Sequence, residues 1–335
     1  MIEMALLFCD SFNHIEDGYE TVKWDADYFA TYATGVGRQG DWGMYFNGAT
    51  YHLSKTLPSS LSTIILGAAI KTPGHASYEL LQFLDNGTLQ IEIRIDTAGT
   101  IHVYRYTTLL GSSSVGVFPI NAWHYFEAKI TFSQTVGSVE IKVDGSQVIN
   151  LTGIDTCYTS NEFVTTVRIE GNALPTYYDD FYLCDTSGTY NNDFLGDIKI
   201  SLLYPTSDVE NDFTPSAGAD HYALVDDPQL AADTDHNESS TIGHKDTYGV
   251  TSYSAGGTLI GLQICAACKN TDTGTMNVRT ICKSGTILTE NEGTSFALSQ
   301  TMKGAMTVYE REPTDSVAWT AAKINAAEFG LKVQS

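Results

Sequence analysis

Apolar and polar positions alternate with a period of two along most of the chain, in short runs broken by Gly, Asn, Asp, Pro and Ser. The clearest runs are Ala5–Phe12, Thr50–Leu53, Thr63–Ile70, Glu79–Leu84, Leu89–Ile95, Ile101–Tyr106, Trp123–Phe132, Ser138–Val143 and Phe163–Ile169. Each predicts a strand with one face turned to a core, because successive side chains on a strand point to opposite sides. Asp85-Asn86-Gly87 and Asp144-Gly145 stand between such runs and predict tight hairpins, since Asn, Asp and Gly accept the positive φ those turns require. Hairpins in series predict an all-β fold of antiparallel sheets packed as a sandwich.

The pattern changes near Thr186–Asn192. Pro205–Thr247 is dense in Asp, Asn, Ser, Thr and Pro and reads as loops around short strands. Alternation returns at Thr258–Cys268, Met276–Cys282, Phe296–Leu298 and Ala305–Tyr309. Helical spacing emerges at Ser316–Phe329, where Trp319, Ala322, Lys323, Ile324, Ala326 and Ala327 predict one short helix capped by Gly330. Residues 1–187 are therefore expected to form one β domain. Residues 188–335 are expected to form a second, smaller one with a short C-terminal helix.

A chain of 335 residues is long enough for two cores. With 18 Lys and Arg against 40 Asp and Glu, its net charge of -22 sets nucleic acid aside as a partner, because phosphate binding depends on cationic side chains. Met1–Phe8 lacks the basic flank and cleavage site of a signal peptide, and no apolar run approaches the roughly 18 residues of a membrane span. A soluble protein made in the cytoplasm, without membrane insertion, is the expectation. Its six scattered cysteines read as buried thiols. Cys265-Ala-Ala-Cys268 has zinc-knuckle spacing, but a strand would send the two thiols to opposite faces.

The segment Asn121-Ala122-Trp123-His124-Tyr125-Phe126-Glu127-Ala128-Lys129-Ile130, followed by Gly137–Gly145, resembles a hairpin of concanavalin A-like and laminin G-like domains. The resemblance implies a jelly-roll sandwich with Trp123, Tyr125 or Phe126, Ile141 and Val143 turned inward. Tyr178–Asp185 is similar to the closing strand of that fold. It implies that Leu6–Phe12 runs beside Phe181–Asp185, with Cys9 near Cys184. The opening Leu6-Leu7-Phe8-Cys9-Asp10-Ser11-Phe12, together with Asn192–Ile198, His221–Asp227, Ala318–Thr320 and Glu328–Gly330, resembles proteins of tailed bacteriophages and prophages. This second resemblance implies a virion component in the tail tip, a fibre or a capsid decoration, with other virion proteins as partners and a homo-oligomeric state. In that setting the C-terminal domain would anchor the chain through Trp319–Phe329 and the jelly roll would be displayed.

Candidate chemistry is sparse. Retaining glucanases of the jelly-roll class carry Glu-x-Asp-x-x-Glu on one strand; here Glu92-Ile93-Arg94-Ile95-Asp96 offers one Glu and one Asp, read as a solvated ladder of Glu92, Arg94 and Asp96. Phosphate loops, nucleophile elbows and His-Glu-x-x-His runs are absent from the sequence. His124 reads as a surface or edge residue, and His221, His236 and His244 as solvated loop residues. A non-enzymatic role follows, with glycoside hydrolysis as the remote alternative. Lectin-like sandwiches often hold calcium, which makes Asp179, Asp180 and Asp185 the metal candidates, with Asp226 and Asp227 beside them. No other cofactor is implied. Sugar rings stack on aromatic side chains, and Tyr28, Tyr32, Trp42, Tyr45, Tyr177 and Tyr178 stand in or beside loops as glycan-binding candidates. The expectation is a structural virion component displaying a lectin-like surface; the alternative is an adhesin or receptor-binding protein for a cell-surface glycan.

Overall fold

The computed structural model describes residues 5–74, 78–171, 173–227, 230, 234–254 and 256–335. Met1–Met4, the start of the apolar N-terminal run, lie outside the described residues. The chain divides into two units: Met1–Glu20 with Trp24–Ile200, and Thr21–Lys23 with Ser201–Ser335. The first unit therefore extends past the expected boundary at residue 187, because Asp193–Ile200 lies against its sheet.

Strands of the first unit are β1 (Leu6–Asp10), β2 (Ala26–Tyr28), β3 (Thr31–Thr34), β4 (Trp42–Phe46), β5 (His52–Leu61), β6 (Thr63–Lys71), β7 (Tyr78–Asp85) and β8 (Thr88–Ile95). They continue with β9 (Ile101–Arg105), β10 (Thr108–Ser112), β11 (His124–Thr131), β12 (Gly137–Val143), β13 (Ser146–Ile154), β14 (Val164–Glu170) and β15 (Thr176–Cys184). Two antiparallel sheets result, ordered β13-β12-β11-β6-β15-β4-β3 with β1 on β15, and β10-β9-β8-β7-β14-β5-β2. This is a jelly-roll sandwich, as the sequence leads one to expect. Asn86 and Gly87 turn at φ 47° and 85°, Asp144 and Gly145 at 49° and 74°, so both hairpins close through residues in the left-handed region. β1 pairs with β15, Leu6 opposite Cys184 and Asp10 opposite Phe181, which places the first and last strands side by side. Cys9 stands opposite Tyr182 in that register, and all six cysteines are free thiols.

The core lies between the inner faces, with Ile64, Leu66, Ala68 and Ile70 of β6 against Ile91, Ile93 and Ile95 of β8 and Val167 and Ile169 of β14, all buried. Phe126, Ala128 and Ile130 of β11 join Ile141 and Val143 on this side. Trp123 does not point inward. It precedes β11 by one residue and, by strand alternation, shares the outer face of the sheet with Tyr125 and Glu127. The large indole of the core is Trp24, which stacks on Phe12 at 5.9 Å, meets Phe8 at 5.3 Å and donates its Nε1 proton to Asp10.

In the second unit, one sheet runs Pro205–Asn211, Lys245–Val250, Glu328–Val333, Asn277–Ser284, Thr289–Glu292, with Phe296–Ala297 also on Asn277–Ser284. Leu262–Cys268 pairs separately with Lys303–Tyr309. The predicted terminal helix is shorter than expected: α1 spans Ala321–Ala326, capped by the Thr320 side chain accepting from the Lys323 N–H. Glu328–Val333 is instead a strand, with Phe329 and Val333 buried, so the alternation there outweighs the alanine-rich stretch before it. Trp319 and Phe329 pack with Cys282, Tyr309, Ile324 and Ala327 in the unit's own core, and Trp319 Nε1 donates to the Tyr309 carbonyl. The apolar C-terminal ending is thus spent on its own fold and is not a free docking element. Among the described residues no helix is long and apolar enough to cross a membrane.

Candidate functional site: a ring row and an acidic cavity

Register fixes a line of side chains across the outer face of the β6-containing sheet. Thr31 of β3 pairs with Tyr45 of β4, Tyr45 with Tyr177 of β15, and Tyr177 with Lys71 of β6. His124 pairs with Ile70, which brings Trp123 alongside Lys71. Neighbouring strands lie ~4.8 Å apart, so the line from Tyr45 to Trp123 extends about 14 Å. The Tyr45 and Tyr177 rings are 5.5 Å apart, the Trp123 and Tyr177 rings 6.5 Å. The Lys71 ammonium stands 4.5 Å from the Tyr177 ring and 5.0 Å from the Trp123 ring, filling the interval between them. All four side chains are half-buried, so ring surface remains open to solvent.

At the Tyr45 end the row opens into a cavity of about 470 Å³, lined by Asp17, Glu20, Asp27, Phe29, Thr31, Tyr45, Asn47 and Tyr51. That volume is within the ordinary range for small-molecule sites. The cavity lies where β2, an edge strand of one sheet, passes into β3, an edge strand of the other. The connecting turn is held by the Asp27 carboxylate accepting from the Ala30 N–H. Phe29 occupies this turn at φ 61° and is 59 % exposed. A bulky side chain in the left-handed region is costly, and exposing its ring recovers none of that cost. Phe29 meets Tyr28 at 4.7 Å and Tyr51 at 5.0 Å, and Tyr28 stacks on His52 at 5.6 Å, completing an aromatic rim. Burial and the charges of its neighbours push the Glu20 and Asp27 carboxyls above the usual range.

Of the six aromatic candidates, Tyr45 and Tyr177 are brought together on this surface and Tyr28 stands on its rim. Tyr178 is fully buried, its hydroxyl donating to the Glu170 carbonyl, and Tyr32 opposite Met44 is buried too; neither can stack on a sugar. Trp42 lies three residues from Tyr45 along β4, and strand alternation turns it to the other side. Sequence reasoning missed Phe29, Tyr51, Lys71 and the outward Trp123. A usable signal was present in Tyr28-Phe29, two adjacent rings where alternation fails.

The metal candidates are held otherwise. Asp179 accepts from the Arg38 N–H at 2.7 Å; Asp180 accepts from the Arg38 guanidinium at 3.4 Å and from the Ile200 N–H at 2.7 Å. Asp185 accepts from the Ser187 N–H, and Asp226 and Asp227 lie outside any strand or helix. Among the described residues no group of three His, Cys, Asp or Glu side chains could hold a metal ion. Of the three expected calcium ligands, Asp179 and Asp185 are each held by a backbone N–H, while Asp180 instead has an internal cation, the Arg38 guanidinium, which also reaches Asp197. Beside it, Glu127 accepts from the Tyr182 hydroxyl at 2.6 Å and the Gly196 N–H at 2.8 Å, so residues 195–200 lie pinned across this part of the face. Gly67 lies beneath the Tyr182 ring, with no room for a Cβ. Gly67→Ala is expected to lower stability by ~1–3 kcal/mol through overpacking, measurable by urea unfolding.

The outer face of the second sheet carries charges, and Glu92 is buried rather than solvated. Its carboxylate takes the Arg94 guanidinium at 2.5 Å and the Gln82 amide at 2.9 Å. Burial pushes the Glu170 carboxyl up to about 8 and Asp179 up to about 7, with neighbouring carboxylates adding to the rise. Since these values are raised on folding, the stability they contribute is complete below about pH 4 and is lost as pH climbs through 7 to 8. A rise from 4.5 to about 8 corresponds to at most ~5 kcal/mol for Glu170. Glu170→Gln is expected to raise the unfolding midpoint by about 5 °C or more at pH 9 and to leave it nearly unchanged at pH 5, read by scanning calorimetry.

Of the histidines expected as solvated loop residues, His236 is exposed in a loop, whereas His221 differs. His221 is buried and its Nδ1 lies 2.7 Å from Asp246, to which the Tyr248 hydroxyl donates. His124 Nδ1 lies 2.7 Å from Asp144 at the hairpin end, its ring 5.2 Å from Phe118.

No family model matches this chain, and no curated protein does. Among solved structures, the alginate lyase Aly36B is similar at 10 % identity and a TM-score of 0.38, over 55 % of this chain and 98 % of that one. The carbohydrate-binding module CBM66 from Bacillus subtilis is similar at 9 % identity and a TM-score of 0.33, over 48 % and 94 %. The Trypanosoma rangeli sialidase in complex with sialic acid is similar at 14 % identity and a TM-score of 0.33, over 47 % and 27 %. At this level the likenesses assign neither a ligand nor a reaction to the chain.

Proposed function

We propose that this chain is a non-enzymatic glycan-binding protein whose jelly roll takes an oligosaccharide along the Tyr45–Tyr177–Trp123 row, with one terminal residue in the cavity. The observation that carries the reading is the exposed Phe29 ring, held at positive φ on the rim of a polar cavity from which the ring row continues. Aromatic faces would take the apolar faces of the sugars, while carboxylates and Asn47 would accept and donate to hydroxyls. Between the purely structural part and the adhesin left open by the sequence, this surface favours the adhesin. The resemblance to tailed-phage proteins supports a place on a virion, and repeated display there supports self-association.

A glycan array probed with the full chain tests the reading: a defined set of oligosaccharides should bind, and the hits should yield no new reducing ends on prolonged incubation. An empty array would overturn it, and released reducing ends would replace binding by hydrolysis. Antibody labelling of purified particles tests the virion placement, with label at the tail or on the capsid as the expected result.

A further inference from the structure

Lys71 is the cation of the ring row, and it is held differently from the cations around it. Its ammonium lies 4.5 Å from the Tyr177 ring and 5.0 Å from the Trp123 ring, yet among the described residues no carboxylate stands within ion-pair reach of it and no oxygen accepts its N–H donors. On the neighbouring strand of the same face Lys129 pairs with Asp193 at 3.1 Å, and Arg38 reaches both Asp180 and Asp197. An unpaired ammonium runs against the charge balance of a chain with 40 acidic side chains and 18 Lys and Arg. Half-buried between two ring faces, it has given up part of its hydration without gaining a counter-ion. The place is also fixed: the Asn121 N–H donates to the Thr72 carbonyl at 2.8 Å, which ties the loop before Trp123 to the residue after Lys71. Lys71 stands two strands from Tyr45, ~10 Å away, and exposed charges act over only ~8 Å at physiological salt, so the carboxylates of the cavity beyond Tyr45 do not cancel it.

We infer that the sugar residue stacked over Tyr177 and Trp123 carries a carboxylate, and that Lys71 takes this carboxylate as its counter-ion. The inference rests on the glycan-binding reading and names the class of glycan: an oligosaccharide with a uronate-type acidic residue inside it and a neutral residue in the acidic cavity. A carboxylate joined directly to a ring carbon lies at the rim of the sugar, so a sugar lying flat on the Tyr177 ring brings it level with the ammonium between the two rings. A sulfate ester sets its charge one oxygen further out. A neutral hydroxyl would leave the ammonium without a counter-charge.

The test compares, by titration calorimetry of the full chain, the tightest carboxylate-bearing oligosaccharide of the glycan array with its carboxyl-reduced counterpart, in which a hydroxymethyl group replaces the carboxylate. The acid should bind at least about tenfold more tightly at about 0.15 M salt, and this preference should shrink to within about threefold at about 1 M, where charges are screened within ~3 Å. Lys71→Arg should keep most of the preference and Lys71→Gln should abolish it. The readout is the ratio of the two affinities within each variant, since Lys71 belongs to the row and both absolute affinities are expected to fall; the arginine variant separates loss of charge from loss of the native side chain. Acidic and reduced forms bound equally by the unaltered chain, or array hits confined to neutral sugars, would overturn the inference and leave glycan binding standing. Binding of sulfated oligosaccharides alone would overturn the carboxylate assignment, and a preference that survives in Lys71→Gln would overturn the assignment to Lys71. Binding of no oligosaccharide on the array would overturn both readings.

Discussion

Arg38→Ala is expected to lower the unfolding midpoint of the jelly roll by roughly 10 °C, the largest stability effect among the substitutions considered. Its backbone N–H and guanidinium serve Asp179 and Asp180, both buried, and the same guanidinium forks onto Asp197. The substitution keeps the backbone N–H on Asp179 but removes the guanidinium, which leaves the buried Asp180 carboxylate without its cation at a cost of about 3–5 kcal/mol. For a unit of this size each kcal/mol moves the midpoint by about 2–4 °C. Scanning calorimetry at pH 7.5 provides the check, and adding calcium should not restore the lost stability, because the cluster is built around a guanidinium fork. A fall of less than about 2 °C, or recovery with calcium, would contradict the internal-cation account.

The largest expected effect on binding belongs to Tyr177→Ala. Tyr177 is the centre of the row, between Tyr45 and the Lys71–Trp123 pair, and its loss separates the two ends. Central aromatic anchors typically account for about 2 kcal/mol or more, so affinity for an array hit should fall at least about tenfold to thirtyfold. Because Tyr177 faces outward and Tyr178 carries the core contact, the unfolding midpoint should move little. Calorimetric titration of one hit against both proteins reads the ratio, and an affinity unchanged within about twofold would remove the row from the site.

Much of the fold was legible because alternation and turn chemistry act locally. Asp85-Asn86-Gly87 and Asp144-Gly145 specify their hairpins within three residues, and the runs around them specify which face is buried. Trp123 was misplaced because an indole is usually read as core; only the register that sets it beside Lys71, an element distant in sequence, shows that it lies outside. The cavity was illegible for the same reason. Asp17, Glu20 and Asp27 look like ordinary loop acids until β2 and β3 are seen to join two sheet edges. Asp179 and Asp180 resembled a calcium site in composition, but a residue more than 140 positions away in the chain, Arg38, holds both, Asp179 through its backbone N–H and Asp180 through its guanidinium. The C-terminal segment failed where two local signals competed, alanine content favouring helix and the Phe329 to Val333 alternation favouring strand. Pairing with Lys245–Val250 and Asn277–Ser284 decided it.

A second exposed aromatic stack, Tyr106 of the β9–β10 turn on Tyr158 of the loop after β13 at 4.2 Å, offers the sharpest control for the location of the site. Hydroxyl-radical footprinting of the full chain, with and without a saturating array hit, tests the central claim most directly. The account predicts protection of Phe29, Tyr45, Tyr177 and Trp123 together, with Tyr106 and Tyr158 labelled equally in both states. Protection of Tyr106 and Tyr158 with the four rings unchanged would contradict it.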